Sequence, residues 1–135
     1  MSAGVRNTSG KLVGVIQSWP VSLQSPDGIL TRLVLVGPVA VDPDCQSAGL
    51  GRAMMRHVLN IGDQSPEYRC TMMIGDPEYY GRFFGYEAAP TKLWRINGPV
   101  ERHRLLARAP QEVSLPADGD IIPGWQGHAE TGFTA

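Results

Sequence analysis

Apolar and polar positions change their period several times along these 135 residues, and each change marks an element. Ala3 to Arg6 and Lys11 to Ser18 read as strand segments around a turn cluster, Asn7-Thr-Ser-Gly10. Ser25-Pro-Asp-Gly28 is a second turn, with Pro and Asp central and Gly following. Leu30 to Val41 is rich in Leu and Val with almost no alternation, as in a strand covered on both faces. Pro38 cannot donate to a ladder, so a bulge is expected near Gly37-Pro38.

After a polar loop, Asp42 to Ser47, the period becomes helical from about Gly49. Leu50, Met54, Val58 and Ile61 fall on one face, while Arg52, Arg56 and Asn60 fall elsewhere. Gly62 and Pro66 mark the end of that helix. Cys70 to Ile74 reads as a short buried strand. Gly75-Asp-Pro then turns the chain into a second helix, Glu78 to Phe84, with Pro77 at its first position and Gly85 stopping it. Leu93 to Ile96 and His103 to Ala107 read as paired strands around Asn97-Gly-Pro99, and the chain beyond Pro110 has no period. These elements predict one α/β domain with a mixed central sheet and flanking helices over residues 1–110, followed by an irregular tail over 111–135.

Composition narrows the function. Hydrophobic residues at 42% and charged residues at 19% are an ordinary globular balance. A net charge of −1 gives no electrostatic footprint for nucleic acid or an anionic membrane. The apolar run Leu33 to Val41 is too short to span a bilayer, and Met1 to Gly10 lacks the regions of a signal peptide, so a cytoplasmic protein is expected. Cys45 and Cys70 are spaced neither as a disulfide framework nor as metal ligands, so reduced thiols and no metal are expected.

The chemistry is concentrated at Gln46-Ser-Ala-Gly-Leu-Gly51, between the buried strand and the helix. Helix N-termini offer unpaired N–H groups and the positive end of the macrodipole, which together bind phosphate. Glycines at 49 and 51 would let a pyrophosphate approach the backbone. No Lys-Ser/Thr follows as in a P-loop, and Met54 stands where a dinucleotide fingerprint counted from Gly49 needs its third glycine. A ligand held mostly by backbone amides remains.

Val39-Ala-Val-Asp-Pro43 followed by Gln46-Ser-Ala-Gly-Leu-Gly51-Arg52-Ala53 resembles the acetyl-CoA-binding motif A of the GNAT superfamily. Gly75-Asp-Pro-Glu-Tyr-Tyr-Gly-Arg-Phe-Phe-Gly-Tyr86 is similar to a signature of its YhbS-like branch of N-acetyltransferases. The resemblance covers roughly Gly10 to Ala109. It implies a GNAT-like fold lacking the first strand and two helices, with acetyl-CoA as cosubstrate and a primary amine of a small molecule, peptide or protein as acceptor. Within it, the backbone of Val39, Ala40 and Val41 would pair with the pantetheine arm. Amides of Ser47, Ala48, Gly49, Leu50, Gly51 and Arg52, after Gln46, would hold the pyrophosphate, and an N–H such as that of Val41 would stabilise the tetrahedral oxygen.

Tyr80 matches the tyrosine that protonates the leaving CoA thiolate. The second phenylalanine in Arg82-Phe-Phe-Gly-Tyr86 departs from the usual spacing and, at about 100° per helical residue, leaves Tyr79 as the alternative. Asp76, Glu78 and Glu87 are candidate bases. His57 and His103 read as solvated or unmotivated, and Trp19, Trp94 and Trp125 as packing residues. A catalytically silent acyl-CoA-binding or regulatory domain is the rival function. The missing elements also predict exposed apolar surface at Val13, Val15, Ile16 and Leu23 and hence a homodimer, unless the tail with Leu115, Ile121, Ile122 and Trp125 folds back over that face.

Overall fold

The turn residues set the first half of the sheet. Asn7 accepts from the Ser9 and Lys11 N–H groups at 3.0 and 2.9 Å, and Gly10 takes φ 85°. Strand β1 (Ser2–Arg6) thereby returns antiparallel as β2 (Leu12–Gln24). At the second turn the Gly28 N–H reaches the Ser25 carbonyl at 2.8 Å, with Gly28 at φ 86°, and β3 (Leu30–Val41) follows antiparallel to β2. In a computed structural model, residues 2–125 are described. The second strand runs further than Ser18, through Pro20, whose carbonyl accepts from the Gly124 N–H at 2.9 Å. The expected bulge is present: Ile16 pairs with Val39 and Ser18 with Val36, so Gly37 and Pro38 stand opposite Gln17 alone.

Asp42 caps a 3₁₀ turn, Pro43–Ala48, where a loop is expected from sequence. Helix α1 (Leu50–Asp63) then crosses to β4 (Thr71–Ile74), which lies parallel to β3, and α2 (Pro77–Phe84) follows between the Asp76 cap and Gly85. The buried face of α1 is Met54, Met55, Val58, Leu59 and Gly62. Ile61, expected on that face, is 39% exposed. The chain closes with β5 (Leu93–Arg95), β6 (Leu105–Arg108) and β7 (Asp118–Pro123), giving the order β5-β7-β2-β3-β4-β6 with β1 also on β2.

The last strands depart from the sequence reading. The segments around Asn97-Gly-Pro99 form no hairpin: β5 pairs with β7 and β6 with β4, at opposite ends of the sheet order. Arg102 holds the carbonyls of Thr91 and Trp94, and a 3₁₀ turn, Arg102–Arg104, sends the chain back toward β4. Leu105, Leu106 and Ala107 are apolar on both faces and all buried, which suits a place beside β4. Leu93 and Arg95 point outward, and Arg95 pairs with Asp118 and Asp120 of β7 at 2.9 and 2.6 Å. The stretch expected to be irregular therefore contributes β7, which pairs with Val21 to Gln24 of β2.

Apolar side chains gather on both faces of the sheet. One cluster joins Ile16, Val34, Val36 and Met73 to the two helices, and the other joins Leu23, Leu33, Met72, Trp94 and Leu105. Val34 and Val36 serve the first and Leu33 the second, which is why β3 shows no alternation. The surface expected to drive a homodimer is largely internal: Val13, Ile16 and Leu23 are buried and Val15 is half-buried. After β7, Trp125 is buried, donating from its indole N–H to the Leu33 carbonyl at 3.0 Å and stacking on Tyr68. Among the described residues no helix is long and apolar enough to cross a membrane.

Candidate functional site

Strands β3 and β4 stay together only briefly. Their pairing holds Val34 to Thr71 and Leu35 to Met72, after which the bulge turns β3 away and β4 ends at Ile74. From Val36 to Val41, β3 keeps β2 on one side and, among the described residues, has no strand on the other. Such an edge presents backbone N–H and C=O groups to whatever enters the gap. The gap is a cleft of ≈ 480 Å³, with Val36, Gly37, Pro38 and Val39 on one wall and Met73, Ile74, Gly75 and Asp76 on the other. Tyr79, Tyr80 and Arg104 complete it.

The β4–α2 turn places the tyrosines. Asp76 accepts from the Glu78 N–H at 3.0 Å, and Pro77 occupies the first helical position, where no N–H is needed. Tyr79 and Tyr80 both reach the cleft, their rings edge to face at 4.9 Å, so the second phenylalanine removes neither from it. Phe83 packs at 5.2 Å from Tyr79, and Phe84 is buried. The Tyr80 ring lies against Gly75, where an added Cβ would come within 2.6 Å of it. Burial raises the half-buried Tyr80 phenol above its ordinary value; Tyr79 and Asp76 add to the rise, and the Arg104 guanidinium opposes it. It is therefore a protonated phenol at neutral pH. Behind it, Tyr86 is buried, bonded to the Thr71 hydroxyl at 2.7 Å and pushed up to about 12 by that burial.

The glycine loop stands beside the far end of the same β3 edge. Gln46, Ser47 and Ala48 close the 3₁₀ turn, and Gly49 at φ 75° passes the chain into Leu50, Gly51 and Arg52, the first turn of α1. The N-cap, Gly49, has no side chain to cap that helix, so among the described residues its first N–H groups are open to solvent or ligand. The two glycines differ in their reasons. A side chain at 49 would be strained by the backbone alone. At 51 a Cβ would sit in ordinary contact, 3.6 Å from Val41 and 4.0 Å from Val39. Arg52 and Arg56 lie over the rings of Phe83 and Phe84.

Not every expected site residue reaches the cleft. Val39 lines it, whereas Ala40 and Val41 lie further along the strand, toward α1. Asp76 lines it, but Glu78 and Glu87 do not, and the backbone of Glu87 pairs with Ala107. His103 lies in the 3₁₀ turn rather than a strand, beside Glu101 at 3.3 Å. Trp94 and Trp125 are packing residues, while Trp19 is 50% exposed. Arg104 and Gly75 were not legible as site residues, because Arg104 sits in a basic run that reads as a solvated face.

This architecture has relatives among solved structures. A GNAT family N-acetyltransferase (YhbS) from Escherichia coli in complex with CoA superimposes with a TM-score of 0.68 at 23% identity, over 89% of this chain and 64% of that one. A GNAT family acetyltransferase from Brucella melitensis in complex with acetyl-CoA gives 0.66 at 25% identity, over 90% and 64%. Eis1 from Mycobacterium abscessus gives 0.55 at 23% identity, over 65% and 22%. The chain thus spans 64% of the length of the first two. No protein of curated function matches it in sequence. The profile of the acetyltransferase (GNAT) family matches residues 3–86, more than half of the chain, with β1 to β4, the glycine loop, both walls of the cleft and both tyrosines inside it and β5 to β7 and Arg104 beyond it. The chain belongs to the acetyltransferase (GNAT) family.

Proposed function

We propose that this protein is an N-acetyltransferase that moves an acetyl group from acetyl-CoA to a primary amine of a small molecule, peptide or protein. One observation carries the reading: a strand edge that is unpaired among the described residues runs from a half-buried, protonated tyrosine to a helix N-terminus whose N-cap is Gly49. That arrangement suits a long ligand with amide groups along its arm and a pyrophosphate at one end. Val39, Ala40 and Val41 would bind the pantetheine arm as an added strand, and the amides from Ser47 to Arg52 the pyrophosphate.

In the reaction the amine nitrogen forms a bond to the thioester carbon and the carbon–sulfur bond breaks. Tyr80 gives its phenolic proton to the departing sulfur, with Tyr79 as the alternative donor. Asp76 is the carboxylate on the cleft wall positioned to take the proton the amine loses. An N–H of the Val36 to Val39 segment, rather than that of Val41, donates to the carbonyl oxygen as charge builds on it, since that segment lines the cleft.

Calorimetry with CoA, followed by thiol release from acetyl-CoA with an amine panel, tests this. Binding with amine-dependent turnover is expected. Binding without turnover would make the chain a silent acyl-CoA-binding domain. The observation favouring that second reading is the openness of the cleft, where Ile74 is 41% exposed. No binding would overturn both.

A further inference from the structure

Among the described residues Arg104 is the one arginine whose guanidinium has no hydrogen bond, ion pair or ring contact. Among the described residues every other arginine pairs with a carboxylate, holds a backbone carbonyl or lies over an aromatic ring. The guanidinium of Arg104 does none of these, although its backbone is held on both sides. Its N–H bonds the Glu101 carbonyl at 3.0 Å, and its carbonyl accepts from the Gly75 N–H at 2.9 Å. A fixed backbone thus carries an unengaged, exposed cation on the wall of the cleft, beside Gly75, Asp76 and Tyr80.

An unengaged guanidinium in a ligand cleft awaits an anion. The phosphates of CoA are not that anion, because their loop is at the other end of α2. Arg52, in the first turn of α1, covers Phe83 near the C-terminal end of α2, whereas Gly75, whose N–H holds the Arg104 carbonyl, precedes its N-terminus. An eight-residue helix separates the two ends by about 12 Å. The leaving thiolate is a poor candidate as well, since an exposed charge is screened by water and Tyr80 already holds a proton for the sulfur. A carboxylate on the acceptor remains. It would meet the planar fork of a guanidinium in two parallel hydrogen bonds and exclude water from them as it binds.

The geometry points to Arg104 as a specificity-determining residue that binds a carboxylate on the amine acceptor, making amino acids and related amino-carboxylates the preferred substrate class. Asp76, on the same wall and not paired with Arg104, would meet the acceptor's amine end, so the two charges match the two ends of such a molecule. This inference rests on the acetyltransferase reading above.

The test compares β-alanine and γ-aminobutyrate with their amides as acceptors for wild type, Arg104→Gln and Arg104→Lys. The ratio of kcat/KM for acid over amide should fall at least tenfold in Arg104→Gln, chiefly through KM for the acid. Arg104→Lys should recover part of it, which a purely structural role would not produce. The difference in amine basicity between acid and amide is the same for every variant, so it cancels when the ratio is compared with that of wild type. An equal loss for acid and amide would reassign Arg104 to the reaction centre and overturn the proposal, as would an unchanged ratio. Absence of turnover with every amine, in a wild type that binds CoA, would overturn the enzyme reading beneath it. Turnover without an Arg104-dependent ratio would overturn this inference alone.

Discussion

The contact between Gly75 and Tyr80 turns the proposed acid into a quantitative test. A Cβ at position 75 would lie 2.6 Å from Tyr80 Cε2 and 2.8 Å from Cδ2. Ordinary carbon–carbon contact is roughly 3.6 Å, so Gly75→Ala must move the ring by about 1 Å. Gly75 is not among the glycines with positive φ, so alanine meets no conformational penalty and the effect is steric. Overpacking of this kind costs about 1–3 kcal/mol in a filled core. Tyr80 is only half-buried and can yield toward the cleft, which puts the cost near the lower end, about 1 kcal/mol. Catalysis should suffer more, because displacing a positioned group by about 1 Å costs on the order of 10²-fold. Thiol release should therefore give a much lower kcat, bounded by the loss in Tyr80→Phe, with KM for acetyl-CoA little changed and melting measured alongside. In the double variant with Tyr80→Phe there is no hydroxyl left to misplace, so the alanine should add little. A folded Gly75→Ala protein with kcat within about twofold of wild type would refute the assignment of Tyr80 as the acid.

Further outcomes follow from the same structure. Tyr80→Phe should lower kcat with little change in KM for acetyl-CoA. Because burial raises the phenol's pKa, the alkaline loss of kcat attributable to deprotonation should lie above about pH 10; a loss confined to Tyr79→Phe would transfer the role. Gly51→Asp adds a carboxylate in the first turn of α1, where the helix dipole favours it, so calorimetry should show unchanged or slightly higher stability. CoA affinity should fall at least tenfold, about 1.4 kcal/mol, from repulsion of the pyrophosphate, and unchanged affinity would remove the loop from the site. Asp63 is held below its ordinary pKa chiefly by the Arg108 hydrogen bonds, at 2.9 Å each. The pair should stabilise the fold above the unfolded carboxylate value and stop doing so as pH falls through the lower folded one. Asp63→Asn should accordingly cost about 0.5–1 kcal/mol at pH 7, and this difference should vanish in acid denaturation curves below that range. Trp125→Ala should cost about 3–5 kcal/mol in chemical denaturation, since the ring is buried; a loss under 1 kcal/mol would contradict its place in the core.

The fold was legible where local chemistry decides it. Asn7, Gly10, Pro26 and Gly28 define turns without help from distant residues, and the unalternating run from Leu30 to Val41 can only be a strand with apolar neighbours on both faces. It stopped being legible where two short strands could pair with several partners. Asn97-Gly-Pro99 favours a turn, and a hairpin is the shortest way to use one. Yet β5 and β6 are governed by their own partners: Arg95 answers Asp118 and Asp120 on β7, and the fully apolar Leu105 to Ala107 belongs beside β4. That β7 forms at all depends on β2 offering Val21 to Gln24 as an open edge, and no periodicity within Asp118 to Pro123 reports such an edge. That edge is filled from within the chain, and Leu23, one of the residues expected to be exposed, is buried.

The site was legible in a similar way, by segment rather than by residue. Motif order placed the glycine loop after β3 and the tyrosines after β4, and both lie along the opening between those strands. What the pattern could not supply is the cleft's third side. Arg104 reaches it only because β6 pairs antiparallel with β4 and brings the Arg104 carbonyl onto the Gly75 N–H. A reading that pairs β6 with β5 instead leaves Arg104 near the start of a hairpin strand, away from β4, where a basic run is merely solvated. The choice between Tyr79 and Tyr80 depends on the same kind of information. Helical period fixes the angle between two adjacent side chains at about 100°, but not the direction in which the pair faces. That direction is set by the Asp76 cap, which fixes where α2 begins, and by Gly75, whose missing side chain leaves the space that the Tyr80 ring fills. A glycine that reads in sequence as part of a turn thus gives the Tyr80 ring its seat in the cleft, and the Gly75→Ala experiment measures that dependence directly.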